Sequence, residues 1–292
     1  MTLRETVGAA EAKLIESPHP ERARLDAETL LLHALCQDRA WLLAHWDDEA
    51  EPGATCGYDE LVARRQTGEP IQYITGSSEF FGLPFSVGPG VLIPRPETEH
   101  LVEEVIRLAG EWSNTTLRIA DIGTGSGIIA VAVAHALPQA QVSAIDSSAP
   151  ALAIARENAE QNHLADRIQF FEGDLLASLA GQTFHILASN PPYIPTTDRD
   201  SLTIEVRDYE PHAALFAGED GLAIYRRLIP EAHAVLVPGG WLVLEIGYGQ
   251  QAAIEQLLQA NSYGEIHFVA DYQSIPRVAA GRRRLDDSME LR

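Results

Sequence analysis

Apolar residues change their spacing along the chain, and each change marks a different kind of structure. Over residues 1–72 they recur only at helical intervals: Leu3, Val7 and Leu14, then Leu25, Leu30, Leu31, Leu32 and Leu35 within Arg22–Leu35, then the stretches Trp41–Trp46 and Tyr58–Arg65. Intervals of three or four place side chains on one helix face, so this region is predicted to be a small helical bundle. Pro18, Pro20, Pro52, Gly53 and Gly68 punctuate it. Across 73–93 the aromatic and β-branched residues Phe80, Phe81, Phe85 and Val87 lie among Gly76, Gly82, Pro84, Gly88, Pro89 and Gly90. Such residues between turn formers predict a short linking β-hairpin or an extended linker.

A helix is predicted to open at Arg95-Pro96-Glu97-Thr98-Glu99, because proline suits a first turn and acids suit the positive end of the helix dipole. After Gly110 strands and helices alternate. The strand candidates are Leu117–Ile122, Gln141–Asp146, Arg167–Phe171, Phe184–Ser189, Trp241–Ile246, Glu265–Ala270 and Arg277–Gly281. Helices are expected at Ile128–Ala136, Ala149–Asn162, Leu222–Leu236 and Gln250–Ala260. The alternation predicts an α/β, Rossmann-like domain over 94–292 with a seven-stranded, mostly parallel sheet. No helix-length segment separates the last two strands, so they are expected to be antiparallel.

Composition narrows the class. With 46% hydrophobic residues and no long apolar run, the chain reads as globular, with no membrane span. Arg4, Glu5, Glu11 and Lys13 interrupt the apolar residues of the N-terminus, which therefore lacks the pattern of a signal peptide. A cytoplasmic, monomeric protein is expected. The 42 acidic residues outnumber the 21 basic ones, for a net charge of −21. That balance disfavours a nucleic-acid partner, whose phosphates bind through Lys and Arg. Cys36 and Cys56 form neither a disulfide framework nor a metal-ligand spacing, and Cys36 is expected inside a helix. The ten histidines are scattered, so no metal site is expected.

Four segments carry candidate chemistry. The first is Asp121-Ile-Gly123-Thr124-Gly125-Ser126-Gly127, between a strand and a helix. Glycines there allow a tight turn and close approach of a cofactor. A dinucleotide fingerprint needs glycine at 128, where this chain has Ile128. Asp121 suits the ammonium group of S-adenosyl-L-methionine better than a pyrophosphate. A glycine turn without a ligand is the alternative. Asp146, closing the second strand, suits ribose hydroxyls, although acids at strand ends also cap helices. Asp174, in Gly173-Asp174-Leu175, suits an adenine amine, or is an ordinary loop aspartate.

The fourth segment is Ser189-Asn190-Pro191-Pro192-Tyr193, at the end of the fourth strand. A planar amide or amine is a poor nucleophile because its lone pair is delocalised. Two acceptors holding its two N–H bonds would aim the nitrogen and favour pyramidalisation. The Asn190 side-chain carbonyl and the Pro191 main-chain carbonyl suit that task, with Pro192 stiffening the turn and Tyr193 offering a flat face.

These motifs together resemble the amino-methyltransferases, whose substrates include DNA adenine, rRNA guanine and protein glutamine. Tyr73-Ile-Thr-Gly76, Glu79-Phe-Phe-Gly82, Val91-Leu-Ile-Pro-Arg-Pro-Glu-Thr-Glu99, Asn190-Pro-Pro-Tyr193, Glu210-Pro211, Asp220-Gly221 and Leu244-Glu-Ile-Gly247 narrow the resemblance to the HemK/PrmC family. That resemblance implies transfer of a methyl from S-adenosyl-L-methionine to the glutamine of the Gly-Gly-Gln loop of peptide chain release factors. It implies cofactor contacts from Gly123 to Gly127, Asp146, Leu175 and Asn190, and glutamine contacts from Asn190 to Tyr193. Phe80, Phe81, Arg95 and Glu97 are weaker candidates for the pocket wall, with structural roles as the alternative. Leu175 stands where some members have tryptophan, and Pro276 where an acid is common. The rival readings are a ribosomal-protein glutamine methyltransferase, a nucleic-acid amino-methyltransferase and a non-catalytic binding protein.

Overall fold

The computed structural model describes residues 1–50, 53, 55–112 and 116–285, so Pro52 and the end of the expected catalytic region, 286–292, lie outside the described residues. The chain forms two compact units.

The first comprises Met1–Ser77 together with Leu202–Tyr209. Its helices are α1 (Leu3–Leu14), α2 (Ala23–Leu35), α3 (Arg39–Ala44), α4 (Tyr58–Gln66) and α5 (Ile71–Thr75). A reciprocal cap starts α1: Thr2 Oγ1 accepts from the Glu5 N–H, and Glu5 Oε2 accepts from the Thr2 N–H. Most of the periodic leucines converge, so that Leu3, Val7, Leu14, Leu30, Leu31, Leu42 and Val62 form the core, whereas Leu25 is exposed. The later segment Leu202–Tyr209 belongs here because Glu205 accepts from buried Arg65, which also pairs with Asp26 at 2.6 Å, and Tyr209 Oη lies 2.7 Å from Thr67 Oγ1. Cys36 departs from expectation. It sits at the C-cap of α2 with φ 51, exposed, because the helix ends by turning left-handed there.

The second unit comprises Ser78–Ser201 and Glu210–Arg292. Strands β1 (Ser77–Phe80) and β2 (Leu83–Ser86) make the expected hairpin. Its turn needs positive φ at Phe81 (53°) and Gly82 (71°), and the Phe81 N–H is held by Glu99 Oε1 at 2.8 Å. The predicted helix at Arg95 opens as one 3-10 turn, Pro96–Thr98, before α6 (Glu99–Ala109).

Then follow β3 (Arg118–Ile122), α7 (Ile128–Ala136), β4 (Gln141–Asp146), α8 (Ala149–Gln161), β5 (Ile168–Glu172), β6 (Phe184–Ser189), α9 (His212–Leu215), α10 (Ala223–Val235), β7 (Leu236–Glu245), α11 (Gln251–Ala260), β8 (Tyr263–Ala270) and β9 (Pro276–Arg283). The sheet order is β5-β4-β3-β6-β7-β9-β8, parallel except where β9 pairs with β7 and β8. Strand residues alternate between two cores. Ile119, Ile186, Ala188 and Val243 face α6 and α7, whereas Ala120, Leu187, Leu242 and Leu244 face α10 and α11. Helix α7 is buried from Ile128 to Ala134, which explains its unbroken apolar sequence.

Strand β7 begins five residues before the expected Trp241. Leu236 pairs with Phe184 and Trp241 with Ile186, and the Val237–Gly240 stretch is absorbed where the register shifts. The chain winds outward from β3 to β5, then restarts at β6 on the other side of β3. The carboxyl ends of β3 and β6 therefore face one crevice, where open α/β sheets bind ligands. Among the described residues no helix is long and apolar enough to cross a membrane.

Candidate active site

A cavity of about 240 Å³ opens at that crevice. Gly123, Thr124, Gly125, Ser126, Asp146, Asp174, Leu175, Asn190, Pro191 and Pro192 all line it. Of the other candidates, Asp121, Gly127, Tyr193, Phe80, Phe81, Arg95 and Glu97 do not.

The glycine loop takes its shape from β4: the N–H groups of Gly123 and Thr124 both donate to the Ile145 carbonyl, at 2.8 and 2.9 Å. Gly123 and Gly125 have φ of 72° and 55°, and a Cβ at either would meet nothing within 4 Å. Gly127 serves packing instead, since a Cβ there would lie 3.0 Å from that of Ala155 on α8. Asp146 Oδ2 accepts the Gly125 N–H and Oδ1 the Ser148 N–H, each at 2.8 Å. Each carboxylate oxygen retains a lone pair for a further donor. The Gly173 N–H reaches the Asp146 carbonyl, bringing Asp174 and Leu175 to the same wall. The Asp174 carboxylate is paired with Arg227 at 2.6 Å.

Asp121 acts behind the loop. Its Oδ2 accepts from Thr124 Oγ1 at 2.5 Å and from the Ala130 N–H at 3.1 Å, tying the turn to the start of α7. Oδ1 is buried without a partner. Burial pushes the carboxyl up to about 7, against the pull of the Thr124 and Ala130 hydrogen bonds. The folded protein thus retains a proton that the unfolded chain releases near 3.8, and this contribution to stability is lost as pH rises from about 4 to about 7. Asp121→Asn removes the ionisation. Relative to the parent, the variant is expected to gain stability with rising pH, by up to ~1.4 kcal/mol per pH unit. Urea unfolding of cofactor-free protein at about pH 5 and about pH 8 measures this, and an equal difference at both would refute it.

The Asn190 turn is held from two sides. On one, Asn190 Nδ2 donates to Thr98 Oγ1 at 3.2 Å, and Thr98 Oγ1 donates to Glu245 Oε2 at 2.6 Å. Tyr193 Oη reaches the other oxygen, Oε1, at 3.4 Å. Glu245 is 2% exposed, and burial raises its carboxyl to about 7. Burial also holds the Tyr193 phenol in its neutral form. On the other side, Gln250 Nε2 donates to the Tyr193 carbonyl at 2.9 Å, while its Oε1 accepts the Gly247 N–H at 2.9 Å. Ile194 then bridges to Phe216, so the chain leaves the turn along a fixed path. Asn190 Oδ1 has no hydrogen-bond partner among the described residues.

Phe80 is a core residue packed on Phe85, and Phe81 packs against the same cluster. Arg95 pairs with buried Glu210 at 2.5 Å. Sequence reasoning missed Thr98, Glu245 and Gln250 as parts of the site, and Gly90, Val91 and Leu92 as its wall. Thr98, Glu245 and the Val91–Leu92 pair do lie within the quoted motifs, which is the one signal that pointed to them. Among the described residues no group of His, Cys, Asp and Glu is placed to hold a metal ion.

Comparison with known proteins bears on what this site serves. Residues 7–76 match the model of the PrmC N-terminal domain, and residues 100–206 match that of the methyltransferase small domain. A release factor glutamine methyltransferase of Koribacter versatilis is 41% identical over 284 residues, covering 97% of this chain and 99% of the relative. One from Geobacter sulfurreducens is 45% identical over 262 residues, covering 90% of each. Among solved structures, the hMettl16 catalytic domain in complex with MAT2A 3'UTR hairpin 6 aligns at a TM-score of 0.57 with 18% identity, covering 81% of this chain and 84% of that one. That likeness shows the methyltransferase fold alone. The likeness to the two sequence relatives runs from the helical unit through the sheet, and on that ground this chain belongs to the family of release factor glutamine methyltransferases.

Proposed function

We propose that the chain methylates the side-chain amide nitrogen of the glutamine in the Gly-Gly-Gln loop of peptide chain release factors. S-adenosyl-L-methionine is the donor and S-adenosyl-L-homocysteine the product. The residues present fit that donor: Gly123 and Gly125 leave open space where a side chain would stand, and Asp146 keeps lone pairs for two hydroxyls. Gly123 to Ser126 would cradle it, with Asp146 on the ribose and Leu175 beside the adenine. When bound, it would supply a methyl group on a sulfonium: the S–CH3 bond would break as the N–CH3 bond forms, the sulfur leaving as a neutral thioether that needs no acid and the amide releasing one N–H proton to water.

The observation that carries the reading is Asn190: its amide nitrogen is engaged by Thr98 and its carbonyl is left open beside the cavity. The Asn190 and Pro191 carbonyls accept the two N–H bonds of the incoming carboxamide. Its nitrogen is thereby aimed along the crevice, and orientation of this kind supplies much of the rate. Tyr193 and Gln250 keep the turn from yielding as the amide binds. The helical domain, 1–72, is assigned to binding the factor, and the reaction is placed in the cytoplasm, without direct nucleic-acid contact. Labelled methyl is expected to pass to a purified release factor and not to its Gln→Ala loop variant. Transfer instead to a large-subunit ribosomal protein or to DNA, run in parallel, would overturn the assignment.

A further inference from the structure

Thr98 stands where a threonine ordinarily caps its own helix, yet it makes no side-chain cap to α6. Its hydroxyl turns to a carboxylate at the end of β7, 147 positions away. Burying a carboxylate is unfavourable, and it is tolerated where partners hold both oxygens. Glu245 has Thr98 on Oε2 and Tyr193 on Oε1, and the Tyr225 hydroxyl donates to its main-chain carbonyl at 2.7 Å. One side chain thus grips both Asn190, through Thr98, and Tyr193.

The polarity of this chain of bonds has a consequence. Above about pH 7, where the Glu245 carboxyl is ionised, it only accepts, so the single hydroxyl proton of Thr98 is committed to it. The Thr98 oxygen can then only accept from its remaining neighbour, and the group that Asn190 turns toward it must be the NH2. The flipped amide would set two oxygens against each other, with no hydrogen between them. The Asn190 carbonyl is thereby left on the other side, where an amide donor is to be bound.

We infer that Thr98 and Glu245 are positioning residues whose donor–acceptor order holds the Asn190 amide with its oxygen toward the substrate carboxamide. This rests on the glutamine methyltransferase reading. Neither residue lines the cavity, so their effect on the reaction passes through Asn190 and Tyr193. A purely structural role would require only that the space be filled. The hydroxyl itself is what polarity requires.

The test compares Thr98→Val, Thr98→Ser and Asn190→Ala in the full-length protein, with a release factor as methyl acceptor and the donor's dissociation constant measured by calorimetry. Thr98→Val keeps the shape and loses the hydroxyl. It is expected to lower kcat by roughly 10- to 50-fold, since a misplaced orienting group costs rate, with donor affinity within about twofold of the parent. Thr98→Ser is expected to recover most of the rate. Should the valine variant not fold, Thr98→Ala removes the hydroxyl in a smaller side chain and is read in the same way. A Thr98→Val enzyme with the parent's kcat, or a serine variant as slow as the valine one, overturns the inference while a crippled Asn190→Ala leaves the reading beneath it standing. An Asn190→Ala enzyme that transfers at the parent's rate overturns both.

Discussion

Asn190→Ala is expected to lower methyl transfer by on the order of 100- to 1000-fold while leaving donor affinity partly intact, as loss of a preorganised polar contact at a reacting group does. Among the described residues the side chain makes one hydrogen bond, through its Nδ2 to Thr98, and Asn190 lines the cavity. Truncation removes one of two acceptors for the carboxamide. The Pro191 carbonyl remains, so a single N–H is held and the nitrogen swings about it. On the proposed reading the donor would meet the glycine loop and Asp146, neither of which depends on the Asn190 side chain. Single-turnover transfer of labelled methyl separates the two effects from calorimetry of donor binding. Loss of donor affinity in step with rate would assign Asn190 to cofactor binding instead.

Gly221→Ala is expected to be the most damaging substitution outside the cavity, with transfer falling on the order of 100-fold through displacement of the turn. A Cβ at Gly221 would lie 2.2 Å from the Tyr193 carbonyl oxygen and 2.8 Å from Gln250 Nε2. Neither neighbour gives way freely, because Gln250 Nε2 bonds that same carbonyl and also reaches the Gly221 carbonyl at 3.3 Å. The φ of 72° adds about 1–2 kcal/mol of backbone strain for any L side chain. Gly181→Ala supplies the control: its φ is 80°, but nothing lies within 4 Å of the added carbon. The control bears the strain without the collision. Equal activity losses in the two variants would show that strain, and not contact with the turn, is responsible.

Much of the fold is legible in the chain because it rests on local repetition. Strands β4 and β6 and helix α7 occupy the expected residues, since an apolar run between turn formers has one way to hide itself in a covered sheet. The glycine loop is legible for a similar reason: alternate glycines between strand and helix have few uses besides a close turn. The segments misjudged are those where local pattern and long-range demand disagree. The strand expected from Trp241 begins at Leu236, with Val237-Pro-Gly-Gly taken into β7 through a register shift. Cys36 reads as helix interior but ends its helix. Phe80 and Phe81, offered by the resemblance as pocket-wall candidates with a structural role as the alternative, are packed by the hairpin on the core.

Local order along the backbone therefore determined the strands, the helices and the chemical identity of the groups at their ends: a glycine turn, a strand-end Asp146, an Asn190 with two prolines after it. Tertiary structure decided which of those groups meet, and what stands behind them. Nothing in a periodic pattern distinguishes Thr98 from another helix-start threonine, or Glu245 from another strand-end acid. They become a site only because the sheet sets β7 beside β6 and α6 over both. Hydrophobic spacing is written over a few residues and can be read there. A hydrogen bond between residues 147 positions apart has no local trace, since its partners are brought together by burial of everything between them.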